Sequence, residues 1–213
     1  MRSATVETIQ ETVQVPAPPL TRLARWCSAA GMAAVVALAL GGLILIAQGL
    51  YIHAKAMLAQ ILLERAFAQA LATGTPVKPW SWADTAPVAR ITVARLGVRD
   101  IVLGGGSGQA MAFGPTLLPA GAGAAEEGTT ILAAHRDTHF AFLRDLRVGD
   151  GIGVQAVSGK ARRYRVTGMQ IVRWDRFAFP RDPARPMLAL ASCYPFGATR
   201  HGPLRYVVWA EAL

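Results

Sequence analysis

The chain has 213 residues, which is enough for one domain of ordinary size and a shorter appendage. Its 22 lysines and arginines outnumber 13 aspartates and glutamates, giving a net charge of +9 at pH 7. No zinc motif, basic helix or interleaving of basic with aromatic residues accompanies this charge, which argues against a nucleic-acid partner. Much of the charge falls between Lys160 and Arg185, which indicates either a solvated strand face or proximity to an anionic lipid or envelope polymer.

An uncharged apolar run near the N-terminus predicts a transmembrane anchor over residues 26–53. The central part of this run would span about 36 Å as a helix, more than the bilayer core of about 30 Å. Arg22 and Arg25 precede the run, against Lys55 after it, which favours an N-terminus on the cytoplasmic side. Residues 1–25 are then predicted to form a short disordered cytoplasmic tail.

A cleaved signal peptide is the alternative to an anchor. The sequence Ala54-Lys55-Ala56 resembles a small-residue cleavage site, but the apolar run before it is longer than a typical signal peptide contains. We therefore expect an uncleaved anchor that holds the rest of the chain at a membrane.

Residues 54–87 are predicted to form a helical stalk followed by a linker. The helical pattern continues to about Leu71, with Glu64 and Arg65 exposed. Gly74 and the two prolines that follow it end this helix.

Short β-type runs separated by turn residues characterise residues 88–213. The first runs predict a hairpin that turns at Leu96-Gly97. Further strands are predicted at Thr129–Ala134, Gly151–Val157, Arg162–Val172, Leu188–Ala191 and Leu204–Trp209, and a helix only at Phe140–Leu146. The glycine-rich stretch near Gly104 lacks the GK[ST] signature of a phosphate loop, so a flexible loop is predicted. Many short strands with little helix predict an all-β barrel or sandwich.

Cys193 is the candidate nucleophile, because it ends an apolar strand and a loop with Pro195 and Gly197 follows it. The alternative is an inert buried cysteine, which is the commoner state of a free thiol. An exported domain favours the reactive interpretation, since an unpaired thiol is a liability in an oxidising compartment. Cys27 lies at the start of the membrane run and is poorly placed to be its disulfide partner.

His135 is the candidate acid or base, because it directly follows an apolar strand that would fix its direction. His139 and His201 are interpreted as surface or packing residues. The sequence HRDTH has the histidine spacing of the zinc motif HExxH, but Arg136 stands where the glutamate base is required, which argues against zinc.

Arg205 opens the last predicted strand and is the candidate cation for a charge that develops on oxygen. A thiol, an imidazole and a guanidinium are sufficient for acyl transfer. Asp137 could orient His135, but a role in capping the turn is at least as well supported, because neighbouring residues of an extended chain point to opposite faces.

The sequence resembles the sortases, and especially their proteobacterial branch, over roughly residues 88–213 together with the N-terminal anchor. The matching motifs, in this order, are FGPTLLP, ILAAHRDTHFAFLRDLRVGD, LALASCYPFG and GPLRYVVWAE. This resemblance implies an eight-stranded β-barrel and a membrane-anchored cysteine transpeptidase of the inner membrane, with its catalytic domain in the periplasm.

The resemblance also implies the chemistry and the partners. Such an enzyme cleaves an LPxTG-like C-terminal sorting signal in a secreted protein, holds the new C-terminus as a thioacyl group and passes it to an amine acceptor. It implies that Cys193 is the nucleophile, His135 the general acid, and Arg205 the residue that positions the signal and stabilises the oxyanion.

Two positions depart from the family pattern: Ser192 stands where threonine usually precedes the cysteine, and Ala134 where glycine usually precedes the histidine. Neither removes a reacting group, although the methyl group of Ala134 could alter signal preference. Glu126 and Glu127 alone do not match the calcium site of some sortases. We expect no metal and no cofactor.

Two alternatives remain open from the sequence. A cysteine hydrolase would form the same thioacyl intermediate and let water complete the reaction, thereby releasing surface proteins. A non-catalytic anchored β-domain would display or bind a surface protein without turnover.

Overall fold

A computed structural model describes residues 20–105, 108–200 and 202–213, with side chains from residue 30 onward. Most of the predicted cytoplasmic tail, the side chain of Cys27 and all of His201 lie outside the described residues. The chain divides into two compact units, of which the first ends at Ile52 and the second comprises His53–Leu213.

A long apolar helix, α1, forms the N-terminal part of the structure at Leu20–Thr73. Within the described residues, one helical stretch, Ala30–Thr73, is long and apolar enough to cross a membrane. By length and composition this stretch is a candidate for a membrane span or a signal anchor. The helix ends where Gly74 was predicted to end it, and the amide of Gly74 donates a hydrogen bond to the Ala70 carbonyl at 2.8 Å.

Eight strands of the described residues close into a barrel, which confirms the predicted fold class. They are β1 Pro87–Val93, β2 Val98–Leu103, β3 Thr116–Leu117, β4 Thr129–Ala133, β5 Gly151–Ala156, β6 Ala161–Arg173, β7 Met187–Cys193 and β8 Leu204–Ala212. Their order around the barrel is β1-β2-β3-β4-β7-β8-β6-β5. The strand β7 therefore lies between β4, which is parallel to it, and β8, which is antiparallel.

The predicted hairpin at Leu96-Gly97 is confirmed, since β1 and β2 are antiparallel partners. Gly97 has a φ of 65°, a left-handed conformation that glycine adopts without steric cost. The helix predicted at Phe140–Leu146 is a short 3-10 helix, Ala141–Asp145. Strand β3 was not predicted, because two residues carry no readable alternation.

Alternating residues of the strands divide between the inside and the outside of the barrel. Leu188 and Leu190 of β7 are fully buried in the interior cluster, together with Val208 of β8. Ala189 and Val207 belong to a second cluster on the opposite face of the same strands. The candidate residues Cys193 and Arg205 lie on this second face by the same alternation.

The C-terminal part of α1 packs against the barrel. Leu63, Phe67 and Ala70 are fully buried in one cluster with Ile101 and Leu103 of β2. The predicted helical stalk is thus helical to Thr73, but one face of it belongs to the core of the second unit.

A charged contact reinforces this packing. The Glu64 carboxylate, predicted to be exposed, bonds the guanidinium of Arg90 and keeps 42% of its side chain accessible. The same guanidinium lies 4.3 Å from the ring centroid of Phe67, a cation–π arrangement.

Candidate active site

Strand register brings Cys193 and Arg205 together. The two residues are direct partners across the antiparallel pair β7 and β8. Such partners have side chains on the same face with Cβ atoms about 4.5–5.5 Å apart. The pairing continues one step beyond the strand, because the Tyr194 amide donates to the Leu204 carbonyl at 3.1 Å.

His135 approaches Cys193 from the opposite side of β7, since it follows strand β4. Strands β4 and β7 are parallel with Ala133 opposite Ala191, so the residues two positions later, His135 and Cys193, are level. The Ala134 amide donates to the Ala191 carbonyl at 3.3 Å, which extends the pairing toward His135.

Two further hydrogen bonds fix the backbone on either side of His135. The hydroxyl of Ser192, which is 3% exposed, donates to the Ala134 carbonyl at 2.9 Å. The Phe140 amide donates to the carbonyl of His135 at 3.1 Å. The direction of this histidine is therefore set by the strand before it and by the tight turn after it.

All three predicted residues line one cavity of about 300 Å³, the site cavity. Cys193 and Arg205 are half-buried and His135 is exposed, so a substrate can reach each of them. The remaining lining residues are mostly apolar: Met111, Leu118, Ala133, Ala134, Trp174, Phe177, Ala191, Ser192 and Val207. Among the described residues, no carboxylate lines this cavity, so the positive charge of Arg205 faces it without an acidic partner.

The Arg205 side chain is held by the backbone around it. Its Nη1 donates to the carbonyls of Gly202 at 2.9 Å and Leu204 at 2.8 Å. A guanidinium has five donors, so these two contacts can orient the group while further donors serve a ligand.

The other candidates from the sequence lie outside the site cavity. His139 faces Asp100, with 3.6 Å between the Nδ1 and Oδ2 atoms, in a separate shallow cavity. Asp137 is 56% exposed and accepts a hydrogen bond from Nε of Arg136 at 3.2 Å. Asp137 thus pairs with Arg136 rather than with His135. Among the described residues, no group of three or more His, Cys, Asp or Glu is arranged to hold a metal.

A family match accompanies this geometry. The model of the sortase domain family matches residues 91–213, which is more than half of the chain and includes His135, Cys193 and Arg205. The chain belongs to the sortase family. Members of this family are cysteine transpeptidases.

Solved structures of sortases share its barrel. Sortase A from Corynebacterium diphtheriae superposes with a TM-score of 0.55 at 19% identity, over 62% of this chain and 63% of that chain. Sortase C-1 from Actinomyces oris gives 0.53 at 22% identity, over 60% and 74%. A Clostridium perfringens sortase D5 transpeptidase gives 0.57 at 16% identity, over 73% and 96%. The chain thus spans less than two thirds of the Corynebacterium sortase A. No curated protein sequence matches the chain.

Sequence reasoning missed the walls of this sortase's cavity. Trp174 and Phe177 come from the segment between β6 and β7, and Met111 from the loop before β3. Trp174 stays 62% exposed, and its amide donates to the Pro203 carbonyl at 2.9 Å, which joins this segment to the residue just before β8. The signal in the sequence was a tryptophan, Trp174, that stands between Arg173 and Asp175 directly after a predicted strand.

A larger groove of about 1170 Å³ lies elsewhere on the sortase barrel, along β1, β5 and β6. None of the three candidate residues lines this groove, and the size of a groove does not by itself indicate a reaction. Two of its arginines already have acidic partners: Arg90 bonds Glu64, and Arg162 bonds Glu127 at 2.7 Å.

Proposed function

We propose that this sortase cleaves an LPxTG-like C-terminal sorting signal in a secreted protein and transfers the new C-terminus to an amine. Cys193 is the nucleophile, His135 the general acid and base, and Arg205 the group that positions the signal and stabilises the oxyanion. The observation that carries this proposal is that the three side chains line one cavity, with Cys193 and Arg205 paired across two strands.

In the first half-reaction, the Cys193 thiolate attacks the scissile carbonyl carbon and the carbonyl oxygen takes up the negative charge. Arg205 donates hydrogen bonds to that oxygen. The C–N bond then breaks, the imidazolium of His135 protonates the leaving amine, and the acyl group remains on Sγ as a thioester.

In the second half-reaction, the acceptor amine attacks the thioester carbon and gives a proton to the neutral imidazole of His135. The C–S bond breaks, which regenerates the thiolate and leaves an amide product. Atoms and charge balance without any oxidant or reductant.

The proposed location follows from the sequence. Residues 1–25 are a cytoplasmic tail, residues 26–53 cross the inner membrane once, and residues 88–213 form the catalytic barrel in the periplasm of a Gram-negative cell. Residues 54–87 join the two. The basic residues before the anchor and the long apolar helix support this orientation.

A peptide assay tests the reaction. The purified full-length protein is incubated with peptides that carry an LPxTG-like motif, with and without an added primary amine. An amide-linked product supports transpeptidation. Acid as the product under both conditions indicates the cysteine hydrolase, and no cleavage together with a Cys193 inert to alkylation indicates a non-catalytic domain.

A protease assay tests the location. Protease added to cells with a permeabilised outer membrane should digest the barrel. A protected barrel, or a mature protein that begins at Met57, contradicts the proposed topology.

A further inference from the structure

Arg136, which directly follows His135, is a buried arginine. It is only 7% exposed, although most arginines keep their charge in water. Its Nη2 bonds the carbonyl of Ala198 and lies 3.4 Å from the carbonyl of Arg200. Its Nε donates to Asp137 at 3.2 Å.

Stability alone does not account for this burial. Removing a guanidinium from water costs several kcal/mol unless its partners replace the lost hydration. The acidic partner, Asp137, is 56% exposed, and Nη1 of Arg136 is buried with no acceptor among the described residues. A buried charge with incomplete partners is weak support for folding and points to another use.

The contacts of Arg136 connect the segment that carries His135 with the loop between Cys193 and Arg205. The loop between β7 and β8, described at residues 194–200 and 202–203, connects Cys193 to Arg205. Arg136 holds the carbonyls of this loop from a position one residue after His135. Arg205 donates to the carbonyl of Gly202 in the same loop and to that of Leu204, the first residue of β8.

We propose that Arg136 is a positioning residue of the sortase reaction, which sets residues 194–200 of this loop so that Arg205 faces the Cys193 thiolate. The proposal rests on the proposed function, since it takes Arg205 as the group that stabilises the oxyanion. Arginine is required because its planar fork serves several acceptors at once, whereas lysine supplies one flexible point charge.

The consequence is kinetic. A displacement of about 1 Å in a catalytic group can cost about a hundredfold in rate. Arg136→Lys and Arg136→Gln should therefore lower kcat by roughly 10- to 100-fold, with a smaller rise in KM because Arg205 also positions the signal. Rates are expressed per reactive Cys193 thiol, counted by alkylation, so that misfolded protein does not contribute.

Amide hydrogen exchange provides a readout that needs no turnover. In Arg136→Lys the amides of residues 194–200 should exchange faster than in the parent, while those of β4 and β7 stay protected. Arg200→Lys is the matched control, because it changes an exposed arginine of the same loop and leaves its carbonyl in place. It should alter neither exchange nor rate.

A double-mutant cycle with Arg205→Lys decides between positioning and packing. If Arg136 acts through Arg205, the double variant loses little more rate than Arg205→Lys alone, whereas independent effects multiply. Two results overturn the proposal: losses in rate that multiply in the double variant, or a parental kcat and parental amide exchange in Arg136→Lys. If the parent protein cleaves no signal peptide, the proposed function is overturned instead. Hydrogen exchange still tests the positioning role in that case, because unchanged exchange of the loop in the Arg136 variants refutes it.

Discussion

Cys193 and Arg205 lie directly opposite each other on the antiparallel strands β7 and β8. Their directions are fixed by paired backbone rather than by a loop, which is the condition for a preorganised stabiliser of negative charge. The residues of β8 alternate between two faces, since Val207 lies in the cluster on the Arg205 face and Val208 in the barrel interior.

We predict that Arg205→Lys slows turnover by roughly a hundred- to a thousandfold, the usual loss for one oxyanion donor. Lysine keeps the charge but lacks the planar fork, so weak binding of the signal should remain. The measurement is kcat and KM for cleavage of a signal peptide.

Arg200→Ala is the control for this substitution. The side chain of Arg200 is exposed, so activity should stay within a few-fold of the parent. The assignment of Arg205 is abandoned if Arg205→Ala forms the thioacyl enzyme at the parental rate while Arg200→Ala does not.

We predict that Cys193→Ala abolishes cleavage, because no other described residue that lines the site cavity carries a thiol to form the thioacyl intermediate. Cys27→Ser should leave cleavage near the parental rate, since residue 27 belongs to the proposed membrane anchor. Mass spectrometry of the enzyme after incubation with peptide detects the acyl adduct. Cleavage by the Cys193→Ala variant would exclude the proposed chemistry.

We predict that His135→Ala loses several orders of magnitude in rate, because both the proton donor and the counter-ion of the thiolate disappear. His139→Ala should lose little, since His139 faces Asp100 in a different cavity. Rates of single turnover for the two variants provide the comparison. The opposite ranking moves the active site to His139.

Local signals in the sequence were sufficient for most of the barrel. Alternating residues and turn glycines predicted β1, β2 and β4 to β8, because each pattern lies within a few neighbouring residues. Strand β3 could not be predicted, since its two residues, Thr116 and Leu117, are too few to show alternation. The candidate site residues were chosen from strand ends and motifs, and in the structure all three line one cavity.

Tertiary contacts explain what the sequence did not reveal. The amphipathic face of α1 that carries Leu63 and Phe67 could not be recognised, because in the sequence it follows directly on the apolar membrane run. The cavity walls Trp174 and Phe177 depend on where a loop folds back over β7 and β8, which no local pattern records. The burial of Arg136 likewise depends on carbonyls of a loop about sixty residues later.

We predict that Phe67→Ala destabilises the barrel by about 3–5 kcal/mol, the usual cost of removing a buried aromatic ring. Phe67 is fully buried against the barrel and lies under the guanidinium of Arg90. Met57→Ala is the control, because Met57 is 67% exposed on the same helix. Urea unfolding of the full-length protein in detergent measures the stability of both variants. Equal unfolding midpoints for the two variants would show that this part of α1 does not support the barrel.

The last prediction concerns an ion pair between the first hairpin and the segment before β5. Arg95 donates to both carboxylate oxygens of Asp150, from Nε at 2.7 Å and from Nη2 at 2.6 Å. The Arg147 amide also donates to Oδ2 of Asp150 at 2.7 Å. The hydrogen bond from Arg95 is the main reason that the pKa of Asp150 lies below its ordinary value.

A carboxyl group whose pKa is lower in the folded state stabilises the fold above its unfolded pKa, and this contribution is lost as pH falls through the folded pKa. Asp150→Asn should therefore lower the melting temperature by a few degrees at pH 7. The difference should be complete above about pH 5 and shrink below about pH 4, where the unfolded aspartate takes up its proton. Asp182→Asn removes an equal charge at an exposed position and should show no such dependence. A difference between parent and Asp150→Asn that stays constant from pH 7 to pH 3 would mean that the amide disturbs packing rather than an ion pair.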